Sequence, residues 1–126
     1  MVVNNETYSI SKEDKLKNLK VKNLDILGTS KSVASPTATA ALEGSLLKAT
    51  FTGFTTAAAA SQVFTITNSK LTTDSVILCS VCNQGSNDAQ MTVTRQLLAA
   101  GSVAVTLKNN GAAALNGDVI ITVLLL

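Results

Sequence analysis

Val119-Ile120-Ile121-Thr122-Val123-Leu124-Leu125-Leu126, with Gly101-Ser102-Val103-Ala104-Val105-Thr106-Leu107-Lys108 ahead of it, decides how the rest of the sequence reads. In the earlier segment Val103, Val105 and Leu107 alternate with Ser102, Ala104, Thr106 and Lys108, the period of two that marks a strand with one buried face. The later segment has no such alternation. Both of its sets of alternate positions are apolar, so both faces of a strand there would leave water. A chain of 126 residues has material to cover one face. A second copy of the same chain is the expected cover for the other, which places Val119, Ile121, Val123, Leu124, Leu125 and Leu126 at a subunit contact.

Upstream, short alternating segments recur. Leu47, Ala49 and Phe51 alternate with Lys48, Thr50 and Thr52, and Val63-Phe64-Thr65-Ile66-Thr67 forms the next strand. Val76 to Val81 is apolar on both faces, like the last strand, and carries Cys79; with that strand it is expected to lie between sheets or against neighbouring subunits. Further on, Met91, Val93 and Leu97 share a face with Arg95. Gly53, the run Thr55 to Ser61, Asn68-Ser69-Lys70, Asn83 to Asp88 and Leu98 to Gly101 supply turn chemistry between them. Four consecutive Ala at 57 to 60 are too few to nucleate a helix. About six short strands with turns between them predict an all-β fold, an antiparallel β-sandwich of jelly-roll type over residues 45–126. Three Phe, one Tyr and no Trp offer little large-area burial for its core, which again favours oligomerisation.

Residues 1–31 read differently, as an extended arm or shaft-like anchor. Asn18-Leu19-Lys20-Val21-Lys22 is followed by Asn23-Leu24-Asp25-Ile26-Leu27, one polar-Leu-polar-aliphatic pattern at a five-residue period. In an extended chain Leu19 and Val21, and Leu24 and Ile26, lie on one side. Such a stripe needs a partner surface, so Leu19, Val21, Leu24 and Ile26 are the candidate anchor residues. A short amphipathic helix over Leu16, Leu19, Lys20 and Leu24 is the competing reading. Residues 32–44, rich in Ser, Thr and Ala and holding the one Pro, read as a linker.

Charge and composition limit the chemistry. The net charge is +2, with six Lys and four acids in residues 1–31 and four of each sign in residues 32–126. No basic, aromatic-bearing surface for nucleic acid is expected on the folded part. No apolar run reaches the roughly 18 residues that would cross a bilayer, and no secretory signal pattern opens the sequence, so a soluble chain made in a cytoplasm is expected. The sequence has no His, which removes Ser-His-Asp, Cys-His and His-metal sites. Cys79 and Cys82 form a lone C-x-x-C, short of the four ligands of a zinc site. On a strand they face opposite ways, so they are expected as buried free thiols and not as a disulfide. Asp74, Asp88 and Asp118 sit at turns, with nothing to pair two of them as acid and base. The chain is therefore expected to be no enzyme and to hold no cofactor. Arg95, on an apolar face, must pair or reach water; its two readings are an inter-subunit ion pair with Asp118 or Asp74, and a strand-end Arg at the sheet margin.

Val63 to Ser69, Val76 to Val81, Gly101 to Asn109 and Ala114-Leu115-Asn116-Gly117-Asp118-Val119-Ile120-Ile121 together resemble the β domain of tailed-phage virion proteins used as head decorations, head fibres and fibre tips. The tandem Asn18-Leu19-Lys20-Val21 and Asn23-Leu24-Asp25-Ile26-Leu27-Gly28-Thr29 is similar to the shaft-proximal pieces of trimeric phage fibres. The resemblance implies a homotrimer with a jelly-roll or similar head. It implies a decoration role on the virion surface and docking of residues 1–35 onto the major capsid protein or another virion protein. It carries no catalytic residue and gives Cys79 and Cys82 no role. The alternative it leaves open is a fibre-tip module whose loops, Asn83 to Ala89 and Asn109 to Leu115, bind a host glycan. Those loops contain no aromatic platform.

Overall fold

The structure is a computed structural model that describes residues 28–126. Among the described residues the fold is all-β, with eight strands: β1 (Gly28–Ala34), β2 (Thr39–Ala41), β3 (Leu46–Thr52), β4 (Ser61–Thr67), β5 (Ile77–Asn83), β6 (Met91–Ala99), β7 (Ser102–Asn109) and β8 (Val119–Leu125). They form two four-stranded sheets, ordered β1-β3-β8-β5 and β2-β4-β7-β6. One shared apolar layer joins the two sheets in a sandwich-like arrangement.

The expectation of a purely antiparallel sheet is corrected. β1 pairs parallel to β3 and β2 pairs parallel to β4, so both sheets are mixed. The expected linker is corrected with it. Residues 32–44 carry the end of β1 and all of β2, and the expected boundary between arm and linker at residue 31 falls inside β1. Backbone hydrogen bonding holds these two edge strands more than side-chain burial does. β1 is exposed throughout except for half-buried Val33, and β2 buries only Ala40. Neither strand has the alternation by which a sequence announces a half-buried strand.

The central strands follow their pattern. In β3, Leu47, Ala49 and Phe51 are fully buried, and in β7 so are Val103, Val105 and Leu107. All three Phe form one cluster between the sheets. Phe51 and Phe64 have ring centroids 4.5 Å apart, and Phe54 from the β3–β4 loop lies 4.9 Å from Phe64 and 6.2 Å from Phe51. Two of these pairs are edge-to-face, an arrangement worth about 0.5–1.5 kcal/mol per pair beyond the area buried. Concentrating the scarce aromatics at one place is how an aromatic-poor chain bridges its two sheets.

β8 lies between β3 and β5, which gives its two apolar faces different fates. Val119, Ile121 and Val123 point inward and are fully buried in the chain's own core. Ile120, Thr122 and Leu124 point to the outer face and are half-buried beside their neighbours. β5 alternates in step: Ile77, Cys79 and Val81 pack against the core, while Leu78, Ser80 and Cys82 face outward.

Candidate functional site

The strands divide the molecule into two ends of different chemistry. Gly28, the start of β3, the start of β5 and the end of β8 lie together at one end, which we call proximal. The β1–β2, β3–β4, β5–β6 and β7–β8 connections gather at the other, distal end.

The distal end is polar and tied to itself. Asn109 is its hub: it is fully buried, and all the hydrogen-bonding capacity of its amide is used. Its Oδ1 accepts from the backbone N–H of Gln90 and of Gly111, each at 3.0 Å. Its Nδ2 donates to the carbonyls of Thr56 at 3.1 Å and Ala113 at 2.8 Å. One side chain thereby fastens the β3–β4, β5–β6 and β7–β8 loops. Further bonds join the last two loops. The Asn110 N–H donates to Gln90 O at 2.9 Å, the Gln84 N–H to Asp118 O at 2.8 Å and the Ser86 N–H to Asn116 Oδ1 at 3.2 Å; the Asn87 amide bonds Ala114 O. Gly111 and Gly117 permit this closeness, since a Cβ on either would run into the backbone of Asp88 or of Gln84 and Gly85. Loops expected from the sequence as candidate ligand readers thus spend many of their polar groups on one another.

Two shallow clefts adjoin at this end. One of about 130 Å³ is lined by Gly53, Phe54, Thr55, Asn116, Gly117 and Asp118. The other, of about 280 Å³, is lined by Ser35, Pro36, Phe54, Thr55, Thr56 and Gln62. Both fall below the roughly 300–1,000 Å³ of a small-molecule site. Phe54, which they share, is 8% exposed and offers no open ring face. Asp118 is the one carboxylate among their lining residues, so neither cleft assembles a pair of acid and base. Among the described residues no three His, Cys, Asp or Glu side chains come together as a metal site.

The proximal end is apolar on the outer face of the first sheet. Across it, Gly28, Leu46, Leu124 and Leu78 are successive partners in one row. Val76 and Leu126 extend the patch, joined by the Leu126 N–H to Val76 O hydrogen bond at 3.0 Å. Leu78, Val76 and Leu126 are 59%, 61% and 71% exposed. The patch stops abruptly, because the next row is Ser30, Lys48, Thr122 and Ser80. Beside it the carboxylate of Glu43 accepts from the Ser69 hydroxyl at 2.7 Å and from the Ser69 N–H at 3.1 Å. Those two bonds hold the Glu43 pKa below its ordinary value.

The expected subunit-contact residues are therefore redistributed. Val119, Ile121 and Val123 are consumed by the chain's own core and cannot meet a second copy; Leu125 also packs against that core. Leu124 and Leu126 stay on the outer face. Val76 and Leu78, from the doubly apolar segment expected between sheets or against neighbouring subunits, stand beside them, and so does Leu46, which the sequence did not single out as a contact. Leu46 was invisible because it sits on the polar side of an otherwise amphipathic strand.

Arg95 lies elsewhere, on the second sheet. A bulge between Val93 and Arg95 shifts the register of β6. Downstream of it Leu98 packs toward the core while Arg95 and Leu97 are exposed on the outer face, opposite Thr106 and Ala104. The expectation that Arg95 shares the face of Met91 and Val93 is overturned, and with it the reason to give Arg95 an ionic partner. Asp118 starts β8 in the other sheet, and Asp74 sits in the exposed Thr72–Ser75 turn at the proximal end.

Both cysteines are free. Cys79 faces inward, half-buried, and burial raises its thiol pKa. Cys82 is exposed, which corrects the expectation that both thiols are buried. The anchor candidates Leu19, Val21, Leu24 and Ile26 lie outside the described residues. No described helix is long and apolar enough to cross a membrane. Comparison with family models, with curated proteins and with solved structures finds no match to this chain.

Proposed function

We propose that the chain is a non-enzymatic structural protein of a phage virion, a homotrimeric capsid decoration protein of the cement or head-fibre kind, with a jelly-roll-like head. The observation that carries this reading is the division of the molecule into two ends. The anchoring sequence enters at Gly28 beside the apolar patch of Leu46, Val76, Leu78, Leu124 and Leu126, and the polar loops, bonded to one another around Asn109, close the opposite end. A protein that sits on a particle needs such a polarity: one end for attachment and assembly, the other stable in water. The nested pairing of β3 with β8 and of β4 with β7 supports the jelly-roll reading of the head. The homotrimer and the attachment to a major capsid protein rest on the resemblance of the sequence to trimeric virion proteins. The attachment belongs to residues 1–27, since residues 28–34 are spent on β1.

The test is quantitative mass spectrometry of particles purified from the source of this chain. The expected result is co-purification in fixed stoichiometry with the major capsid protein, in multiples of three per capsomer or vertex. Absence from purified particles would overturn the reading. One copy set per particle, found at a tail tip and accompanied by glycan binding of the distal loops, would replace it with a receptor-binding module.

A further inference from the structure

Asn followed by Gly occurs twice in the sequence, at Asn110-Gly111 and Asn116-Gly117, and both pairs lie in the β7–β8 connection at the distal end. Such a pair has a chemistry of its own. The glycine nitrogen, on a permissive backbone with no Cβ beside it, can attack the side-chain amide carbon of the preceding asparagine and expel ammonia. We propose that Asn116 is a self-modification site of the folded protein, converted in water to aspartyl and isoaspartyl forms, and that the fold withholds the same reaction from Asn110.

Both asparagines are exposed, so access to water does not separate them. Hydrogen bonding does. The Gly111 N–H donates to Oδ1 of the buried Asn109 at 3.0 Å, and Nδ2 of Asn110 donates to the Thr92 hydroxyl at 2.6 Å. The nucleophile of the first pair is therefore engaged by the loop hub, and attack has to break that bond in a buried place. At the second pair the arrangement is reversed. Among the described residues the Gly117 N–H donates to no acceptor, so this nucleophile is free. Asn116 Oδ1 accepts from the Ser86 backbone N–H at 3.2 Å, and Nδ2 lies 3.4 Å from the Ser86 hydroxyl. A donor on Oδ1 stands where negative charge develops as the amide carbon becomes tetrahedral, the placement that stabilises an oxyanion.

The reaction needs only water. The Gly117 nitrogen gives its proton to solvent and bonds Asn116 Cγ; the Cγ–Nδ2 bond then breaks, and the nitrogen leaves as ammonia with a proton from water. Water opens the resulting cyclic imide. Opening at the side-chain carbonyl leaves an aspartyl residue at position 116, and opening at the main-chain carbonyl leaves an isoaspartyl link. Either product adds a negative charge two residues before Asp118. The isoaspartyl form also lengthens the main chain beside Gly117, where a Cβ would already run into Gln84 and Gly85. The modification is therefore expected to loosen the tie between the β5–β6 and β7–β8 loops. The inference stands on the distal loops alone and holds whether or not the protein belongs to a virion.

Peptide mapping of the full chain tests it. The protein is held at mildly alkaline pH in its native state and, in parallel, in concentrated urea. Fragmentation of the peptide that carries both pairs then localises the aspartyl and isoaspartyl products. In urea the two asparagines are expected to react at similar rates, and in the native protein Asn116 is expected to react about tenfold or more faster than Asn110. Equal native rates, or Asn110 reacting first, would overturn the proposal. Slowing of Asn116 by folding to the same extent as Asn110 would overturn it too. Asn116→Gln should remove the native isoaspartyl product from this peptide, and its persistence in that variant would overturn the assignment to Asn116.

Discussion

Asn109 does more at the residue scale than its place in a turn region announces. A single buried amide makes four hydrogen bonds to three loops, and each has its partner in the main chain. Asn109→Ala leaves the Gln90 and Gly111 N–H groups and the Ala113 carbonyl short of a partner, each costing about 1–3 kcal/mol if it stays dry, while the Thr56 carbonyl keeps the Leu115 N–H at 2.9 Å. Partial rewetting lowers the sum, so a loss of about 2–4 kcal/mol is expected, read as a lower urea midpoint with unchanged slope. Glu43 provides a pH signature at the other end. Its folded pKa lies below the ordinary carboxylate value because Ser69 donates to the ionised form. Its contribution to stability is therefore present above the unfolded pKa and is lost as pH falls through the folded one. Glu43→Gln should flatten the stability profile in that acid window while leaving its shape near neutrality unchanged, checked by urea midpoints between about pH 6 and pH 3. The cysteines differ in accessibility. Cys82 should take up a thiol reagent roughly tenfold or more faster than Cys79, whose burial both shields it and disfavours its thiolate. Peptide mapping after brief labelling would show it. Their opposite facing was legible in the sequence, because two positions three apart on a strand must diverge. The exposure of Cys82 was not, because it depends on the outer face of β5 being uncovered.

Among the elements, β6 shows best what a sequence pattern hides. Its residues read as one continuous alternation with Leu97 inside, and the bulge after Val93 moves that place to Leu98. Leu98→Asp should cost about 3 kcal/mol or more, since it buries a carboxylate or expels the strand end, whereas Leu97→Asp should stay within about 0.5 kcal/mol. Paired denaturation curves decide it, and the opposite order would mean an unbroken register. β3, β4, β7 and β8 were legible because each presents an inward row of aliphatic or aromatic side chains to the facing sheet. β1 and β2 were not, because Gly28-Thr29-Ser30-Lys31-Ser32-Val33-Ala34 and Thr39-Ala40-Ala41 commit one side chain each to the interior. Their pairing to β3 and β4 is a tertiary fact that composition reads as linker.

For the whole molecule, the doubly apolar strand Val119 to Leu126 posed the right question and received a divided answer. One face is the core of the chain itself, and the other supplies part of a patch confined to the proximal rim. Sequence could not apportion the two faces, because the assignment depends on which sheet lies opposite and on β3 and β5 flanking β8. Nor could it show that Leu46, Val76 and Leu78, from two other elements, complete the patch. The resulting molecule has a self-bonded polar end and an apolar end where its remaining sequence enters, and on that polarity the proposed role in a virion stands. A reconstruction of purified particles tests it most directly. The account predicts threefold density on the capsid surface into which the two-sheet head fits with the Asn83–Ala89 and Asn109–Leu115 loops facing solvent and Gly28 toward the shell. A capsid bare of such density, or a head seated with those loops against the shell, would contradict it.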